Sequence, residues 1–129
     1  MKRVLIVDDS QTTRIRIKNF LGDEYASEEA ENGAVAMELL SEDNNFDLIV
    51  LDINMPELDG MSFVQLQAEN ERINKIPTIL CTTEASVQMK EKAKKTGVVK
   101  AWVIKPIIKK VLLGAIERVL ENFKRAPDA

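Results

Sequence analysis

Apolar residues in this chain come in short bursts separated by polar, helix-spaced segments. Arg3 to Val7 is rich in β-branched side chains and stops abruptly at Asp8-Asp9. Phe46 to Leu51 is continuous apart from Asp47 and stops at Asp52. Ile76 to Cys81 carries Pro77 near its start, where a missing N–H is tolerated, and runs into Thr82-Thr83. Lys100 to Ile104 runs into Lys105-Pro106, and a weaker run, Tyr25 to Ala30, lies between the first two. Clean in–out alternation is missing from the first, third, fourth and fifth runs, as expected of strands in a parallel sheet covered on both faces.

The segments between them read as helices. Ser10 caps a stretch with Thr13, Ile17, Phe20 and Leu21 at helical spacing, closed by Gly22. Asn32-Gly33 opens a second, with Val35, Ala36, Leu39 and Leu40. Met55-Pro56 and Asp59-Gly60 punctuate a loop before a third, from about Met61 to Asn70. A polar helix from about Ser86 to Thr96 stops at Gly97, and a long one runs from about Ile108 to Lys124. Five strands alternating with five helices predict an α/β fold with a parallel sheet wound on both faces. With no linker, repeat or low-complexity stretch, residues 1–124 read as one domain, followed by a frayed tail at 125–129.

Composition narrows the chemistry. The 129 residues are 45% hydrophobic and 30% charged, an ordinary globular balance. No uninterrupted apolar run exceeds four residues, so neither a membrane span nor a signal peptide is expected, and the expected location is the cytoplasm. The lone cysteine, Cys81, excludes an internal disulfide and a multi-cysteine zinc site. The absence of histidine excludes catalytic triads, histidine metal sites and a phosphohistidine carrier. Carboxylates, hydroxyls and lysines remain. Net charge is −3, yet residues 1–64 hold 14 acids against 5 bases, while residues 65–129 hold 7 against 13. An acidic total argues against direct nucleic-acid binding.

Open parallel sheets bind ligands outside the carboxyl ends of their strands. Four of the runs deliver Asp8-Asp9, Asp52, Thr82 and Lys105 to that rim. Three crowded carboxylates repel unless a cation neutralises them, and a hard divalent ion, Mg2+ above all, takes such oxygen donors while keeping waters for a phosphate ligand. Lys105 adds a point charge suited to a phosphoryl oxygen, and Thr82 a hydroxyl donor.

The stretches VLIVDDSQTTR, LIVLDINMPELDG, TILCTTEA and WVIKP resemble the receiver domain of two-component response regulators, most closely the stand-alone chemotaxis type. The resemblance spans about Lys2 to Lys124 and implies a flavodoxin-like sheet in the order 2-1-3-4-5. It implies that Asp52 is the phosphoacceptor, attacking a phosphohistidine of a histidine kinase or phosphotransfer protein. Asp9, Asp52 and the backbone carbonyl of Asn54 would then ligate Mg2+, with Asp8 acting largely through water. Lys105 would hold the phosphoryl group, Thr82 would turn inward to it, and Trp102 stands at the aromatic switch position. The Lys105-Pro106 bond would be cis. Asn54, Thr83 and Glu84 would tune hydrolysis by water, with Asn54 and Glu84 matching short-lived regulators. Trp102, Thr83, Ile107 and Val98-Val99 depart from the usual pattern without touching the acid site.

On this reading the chain is a switch that catalyses only its own phosphorylation and dephosphorylation and signals by binding a partner. A phosphorelay shuttle or phosphate sink is the alternative within the family. Outside it, an aspartyl-phosphate phosphohydrolase would need a carboxyl group where Asn54 stands, and a flavin carrier would meet repulsion from Asp8-Asp9. A non-phosphorylated interaction module would leave the intact acid positions unexplained. Ile15 lies off the core stripe of the first helix beside the acid site, a docking position for a kinase or phosphotransfer helix. Ile108, Val111, Leu112, Leu113 and Ile116 make the last helix apolar nearly all round, so some should face outward beside Lys90, Lys94, Lys109 and Lys110. That face, of the fourth helix, fifth strand and fifth helix, suits an acidic amphipathic output partner or a second copy, the chain being otherwise a monomer.

Overall fold

The computed structural model describes residues 1–83 and 86–123. Five parallel strands, β1 (Lys2–Val7), β2 (Tyr25–Ala30), β3 (Leu48–Asp52), β4 (Thr78–Thr82) and β5 (Val99–Ile104), pair in the order β2-β1-β3-β4-β5. Five helices connect them: α1 (Gln11–Leu21), α2 (Gly33–Glu42), α3 (Gly60–Ala68), α4 (Val87–Lys95) and α5 (Lys109–Asn122). The doubly wound parallel sheet is the one the residue pattern predicts, and its flavodoxin-like strand order is the one the family resemblance implies.

Two cores result, because successive side chains of a strand leave opposite faces of the sheet. Ile17 and Leu21 of α1 and Leu112, Ile116 and Val119 of α5 pack on Val4, Ile6, Leu48, Val50, Ile79 and Val103. Ala36 and Leu40 of α2, Phe63 and Val64 of α3 and Ala93 of α4 pack on Leu5, Val7, Ile49, Leu51 and Leu80. The apolar runs of β1, β3 and β4 thus feed both cores. β5 does not follow them. It is an edge strand, and Lys100 and Ile104 are exposed, so the expectation of cover on both faces is corrected there.

Local chemistry sets the boundaries. Ser10, Asn32, Asp59 and Ser86 accept from the backbone N–H three residues on, each satisfying a free donor at a helix start. Gly22 ends α1 at φ +59, and its N–H returns to Lys18 O. β3 begins at Leu48 rather than Phe46, because the Asp47 carboxylate accepts from the Arg3 N–H at 2.9 Å. β4 begins only after Pro77, which has no N–H to give. α3 stops at Ala68, short of the expected Asn70, and a short 3-10 turn, Gly22–Glu24, precedes β2. Lys105-Pro106 is cis, as expected.

Candidate functional site

β1 and β3 both end on aspartates at the same rim, and the register pairing Val7 with Leu51 brings the two ends side by side. Carboxylate oxygens of Asp8, Asp9 and Asp52 lie within 4.8 Å of one another. Lys105, just past β5, reaches across with Nζ 3.0 Å from Asp8 Oδ2 and 3.0 Å from Asp52 Oδ1. Asp8 is a full hydrogen bond of the ammonium, whereas the Asp52 contact is an ion pair outside hydrogen-bond geometry.

The two neighbouring aspartates are held very differently. Asp8 is buried, its N–H donates to Ala30 O at 3.2 Å, and its Oδ1 accepts from the Ser10 N–H at 2.9 Å. Asp9 is exposed, and among the described residues its carboxylate has no hydrogen-bond or ion-pair partner. Asp8 is a fixed charge and Asp9 an available one.

Burial pushes the Asp52 carboxyl above the ordinary aspartate range, with the Asp8 charge adding to the rise; Lys105 and the Asn54 backbone pull the other way without cancelling it. Burial pulls the Lys105 ammonium down, but its two carboxylate partners outweigh that and leave it raised. Lys105 is therefore charged at neutral pH. Cys81, one residue before Thr82, is buried and its thiol is pushed up to about 12, so it stays protonated.

The loop after Asp52 is tightly folded. The Gly60 N–H donates to Ile53 O at 2.9 Å, and a Cβ on Gly60 would stand 2.5 Å from Asp52 O. Between them the Leu58 N–H donates to Pro56 O at 2.8 Å around Glu57, which takes φ +69 without being glycine. Asn54 lines a groove of about 510 Å³ with Asp9, Met55, Met61 and Met89.

Of the residues singled out by sequence, Asp8, Asp9, Asp52 and Lys105 meet. Thr82 is buried at the end of β4, its carbonyl accepting from the Lys105 N–H at 2.7 Å, and Thr83 is exposed beside it. Glu84 lies outside the described residues. Trp102 pairs with Leu80, two places before the strand end, and packs half-buried against the α2–α3–α4 core; its Nε1 is buried with no hydrogen-bond partner among the described residues. It sits back from the acid cluster. Sequence reading passes over Arg14, whose Nη1 donates to the Asp8 carbonyl at 2.6 Å and whose Nε donates to Glu29 Oε1 at 3.1 Å. The signal was there. A cation in the opening turns of a helix opposes the helix dipole and needs a compensating partner.

A hard divalent cation suits this donor set: clustered carboxylate oxygens, the exposed Asp9 among them, and a buried Asp52 Oδ1 with no hydrogen bond among the described residues.

Residues 4–117 match the model of the response regulator receiver domain. The chain belongs to that family. It is 36% identical to the chemotaxis protein CheY of Pseudomonas aeruginosa over 122 residues, covering 93% of this chain and 97% of that one. CheY1 of Helicobacter pylori is 36% identical over 120 residues, covering 92% and 96%. Among solved structures, CheY4 of Vibrio cholerae superposes with a TM-score of 0.86 at 34% identity, over 93% of this chain and 99% of that one. Receiver domains are phosphorylation-dependent signalling switches that generally use Mg2+, receive their phosphoryl group from a histidine kinase or phosphotransfer partner and act on a downstream target. No helix among the described residues is long and apolar enough to cross a membrane.

Proposed function

We propose that Asp52 takes a phosphoryl group from a phosphohistidine of a histidine kinase or phosphotransfer protein, and that the phosphorylated chain signals by binding a separate protein. The observation that carries this reading is the meeting of three carboxylates within 4.8 Å with a single ammonium 3.0 Å from two of them. An Asp52 carboxylate oxygen forms the new bond to phosphorus while the phosphorus–nitrogen bond breaks, and the imidazole leaves with the electron pair and takes up a proton. Lys105 turns its charge from the carboxylates to the transferred oxygens. Thr82 donates to one of them, and Asn54, Thr83 and Glu84 set the access of water.

Asp9, Asp52 and the Asn54 carbonyl would hold Mg2+, with Asp8 behind them; when bound, the ion offsets the charge gathering on the phosphoryl oxygens. Output falls to the α4–β5–α5 face, where Ile104, Ile108, Val111 and Phe123 are exposed near the lysines of α4 and α5. Its apolar residues flank a groove of about 300 Å³ between β5 and α5, and its charge suits an acidic amphipathic partner. Ile15, half-exposed on α1, is the proposed contact for the phosphodonor.

Radiolabelled acetyl phosphate tests the central claim. The wild type should label only with a divalent cation, and Asp52→Asn should not label at all. Equal labelling of both would refute Asp52 as the acceptor.

A further inference from the structure

Arg14 occupies an unusual place. It belongs to α1, yet its side chain lies back along the helix toward the β1–α1 turn, and only 14% of it is exposed. One arm, Nη1, donates to the Asp8 backbone carbonyl at 2.6 Å, while Nε donates to Glu29 Oε1 on β2 at 3.1 Å. Glu29 is in turn 3.7 Å from Lys18, one helical turn further along α1. The guanidinium is thereby held at both ends, by a carboxylate on a neighbouring strand and by a carbonyl of the turn itself.

That carbonyl is not an ordinary one. It belongs to the peptide unit joining Asp8 to Asp9, and a peptide unit is planar. Fixing the oxygen holds that plane and with it the position of the Asp9 Cα and the direction of its N–Cα bond, so that only rotation about that bond is left to set where the Asp9 side chain leaves the chain. Asp9 needs such help, because its exposed carboxylate has no partner of its own among the described residues. Asp8 needs none, being already tied by its N–H and both carboxylate oxygens.

We infer that Arg14 is a positioning residue for the cation site: braced by Glu29, it orients the Asp8–Asp9 peptide so that the Asp9 carboxylate faces Asp52. This rests on the proposed use of a divalent cation. It makes a prediction opposite in sign to simple electrostatics. Removing a positive charge beside three carboxylates should, by charge alone, tighten cation binding. Removing a group that aims one of the ligands should weaken it, on the scale of roughly tenfold that partners behind metal ligands command.

Mg2+ titration calorimetry on wild type, Arg14→Met and Arg14→Lys, at a temperature where each is folded by circular dichroism, separates the two. Arg14→Met should bind Mg2+ about tenfold more weakly. Arg14→Lys keeps the charge but reaches only one of the two partners, and should fall between; it decides the matter should Arg14→Met not fold. A purely structural role would lower the unfolding midpoint of the metal-free protein and leave the affinity of the folded protein unchanged. Equal or tighter binding in Arg14→Met, or wild-type affinity in Arg14→Lys, overturns the assignment while leaving the cation site intact. Wild type that binds no Mg2+ overturns the cation reading itself, and this one with it.

Discussion

The two ends of the sheet both bury polar side chains, and they do so by opposite rules. At the end where the strands begin, Gln67 of α3 is wholly buried, its Nε2 donating to Ile73 O at 3.1 Å and Ile76 O at 2.9 Å. Its Oε1 accepts from the hydroxyl of Thr78, equally buried, at 3.0 Å. The network is neutral, and among the described residues the buried acceptor nearby that lacks a partner is an uncharged amide oxygen, Asn74 Oδ1. At the end where the strands finish, Asp8 and Asp52 are buried with one ammonium between them and Asp9 alongside. A fully partnered neutral network fixes a loop and asks for nothing more. An excess of buried negative charge costs stability in isolation and is relieved by a ligand that brings positive charge. The first end serves folding, and the second is arranged for binding.

The contrast breaks most visibly at Gln67. Gln67→Leu removes three buried hydrogen bonds, leaving Ile73 O with the Ile76 N–H at 3.2 Å and Ile76 O with the Thr78 hydroxyl at 3.4 Å, and should cost about 3 kcal/mol in urea unfolding, with Mg2+ affinity unchanged. A cost below about 1 kcal/mol would mean that water already serves those groups.

Lys105→Met tests the other end. It leaves Asp8 and Asp52 facing each other unpaired and should cost roughly 2 kcal/mol at neutral pH. Unlike the Gln67 deficit, this one should shrink with saturating Mg2+ and again at low pH, as Asp52, whose carboxyl is raised by burial, protonates. A deficit indifferent to both would show that Lys105 acts by packing alone.

Asp52→Asn should act in the opposite direction. Because burial raises the Asp52 carboxyl in the folded protein, the folded state holds its proton more tightly than the unfolded chain does. Stability is therefore lost as pH rises from the ordinary aspartate range through the raised value, and neutral pH carries the full penalty. Asp52→Asn removes it, so the metal-free midpoint should rise by about 2–4 °C at pH 7, with the gain vanishing as pH falls below the ordinary aspartate range. A lower midpoint at pH 7 would mean that the ion pair with Lys105 outweighs the cost of burial.

The satisfied end was nearly silent in the sequence, while the charged end was legible. Asp8-Asp9, Asp52, Thr82 and Lys105 each follow an apolar run, so strand recognition alone places them at one rim, and the order of the strands follows from the family resemblance. Caps at Ser10 and Asn32 are local signals and mark their helices within a residue. Gln67 reads as one more polar residue on a helix, because its partners at Ile73, Ile76 and Thr78 are backbone or lie across a loop. β5 looks as apolar as the central strands and gives no sign of being at the edge; its outer neighbour is absent from the sheet, which composition does not record. Trp102 could be placed on its strand but not in depth, since the packing of its ring against Leu80 and the α4 core depends on register. Arg14 left a faint trace, a misplaced cation, that only Glu29 and the Asp8 carbonyl explain.

Glu57, the residue with left-handed backbone in the loop beyond Asp52, bears on how small a molecule this rim could accommodate. For a side-chain-bearing residue that conformation costs about 1–2 kcal/mol, and the surrounding loop holds it there through Leu58 N–H to Pro56 O and Gly60 N–H to Ile53 O. A loop held this firmly has little freedom left to lose. A molecule of a handful of atoms makes too few contacts to freeze a floppy segment around itself, because each ordered residue costs more than each contact returns. Here the ordering was completed when the chain folded, so on the proposed function the minimum size of a useful phosphodonor would be set by the chemistry of its leaving group and not by how much protein it must gather.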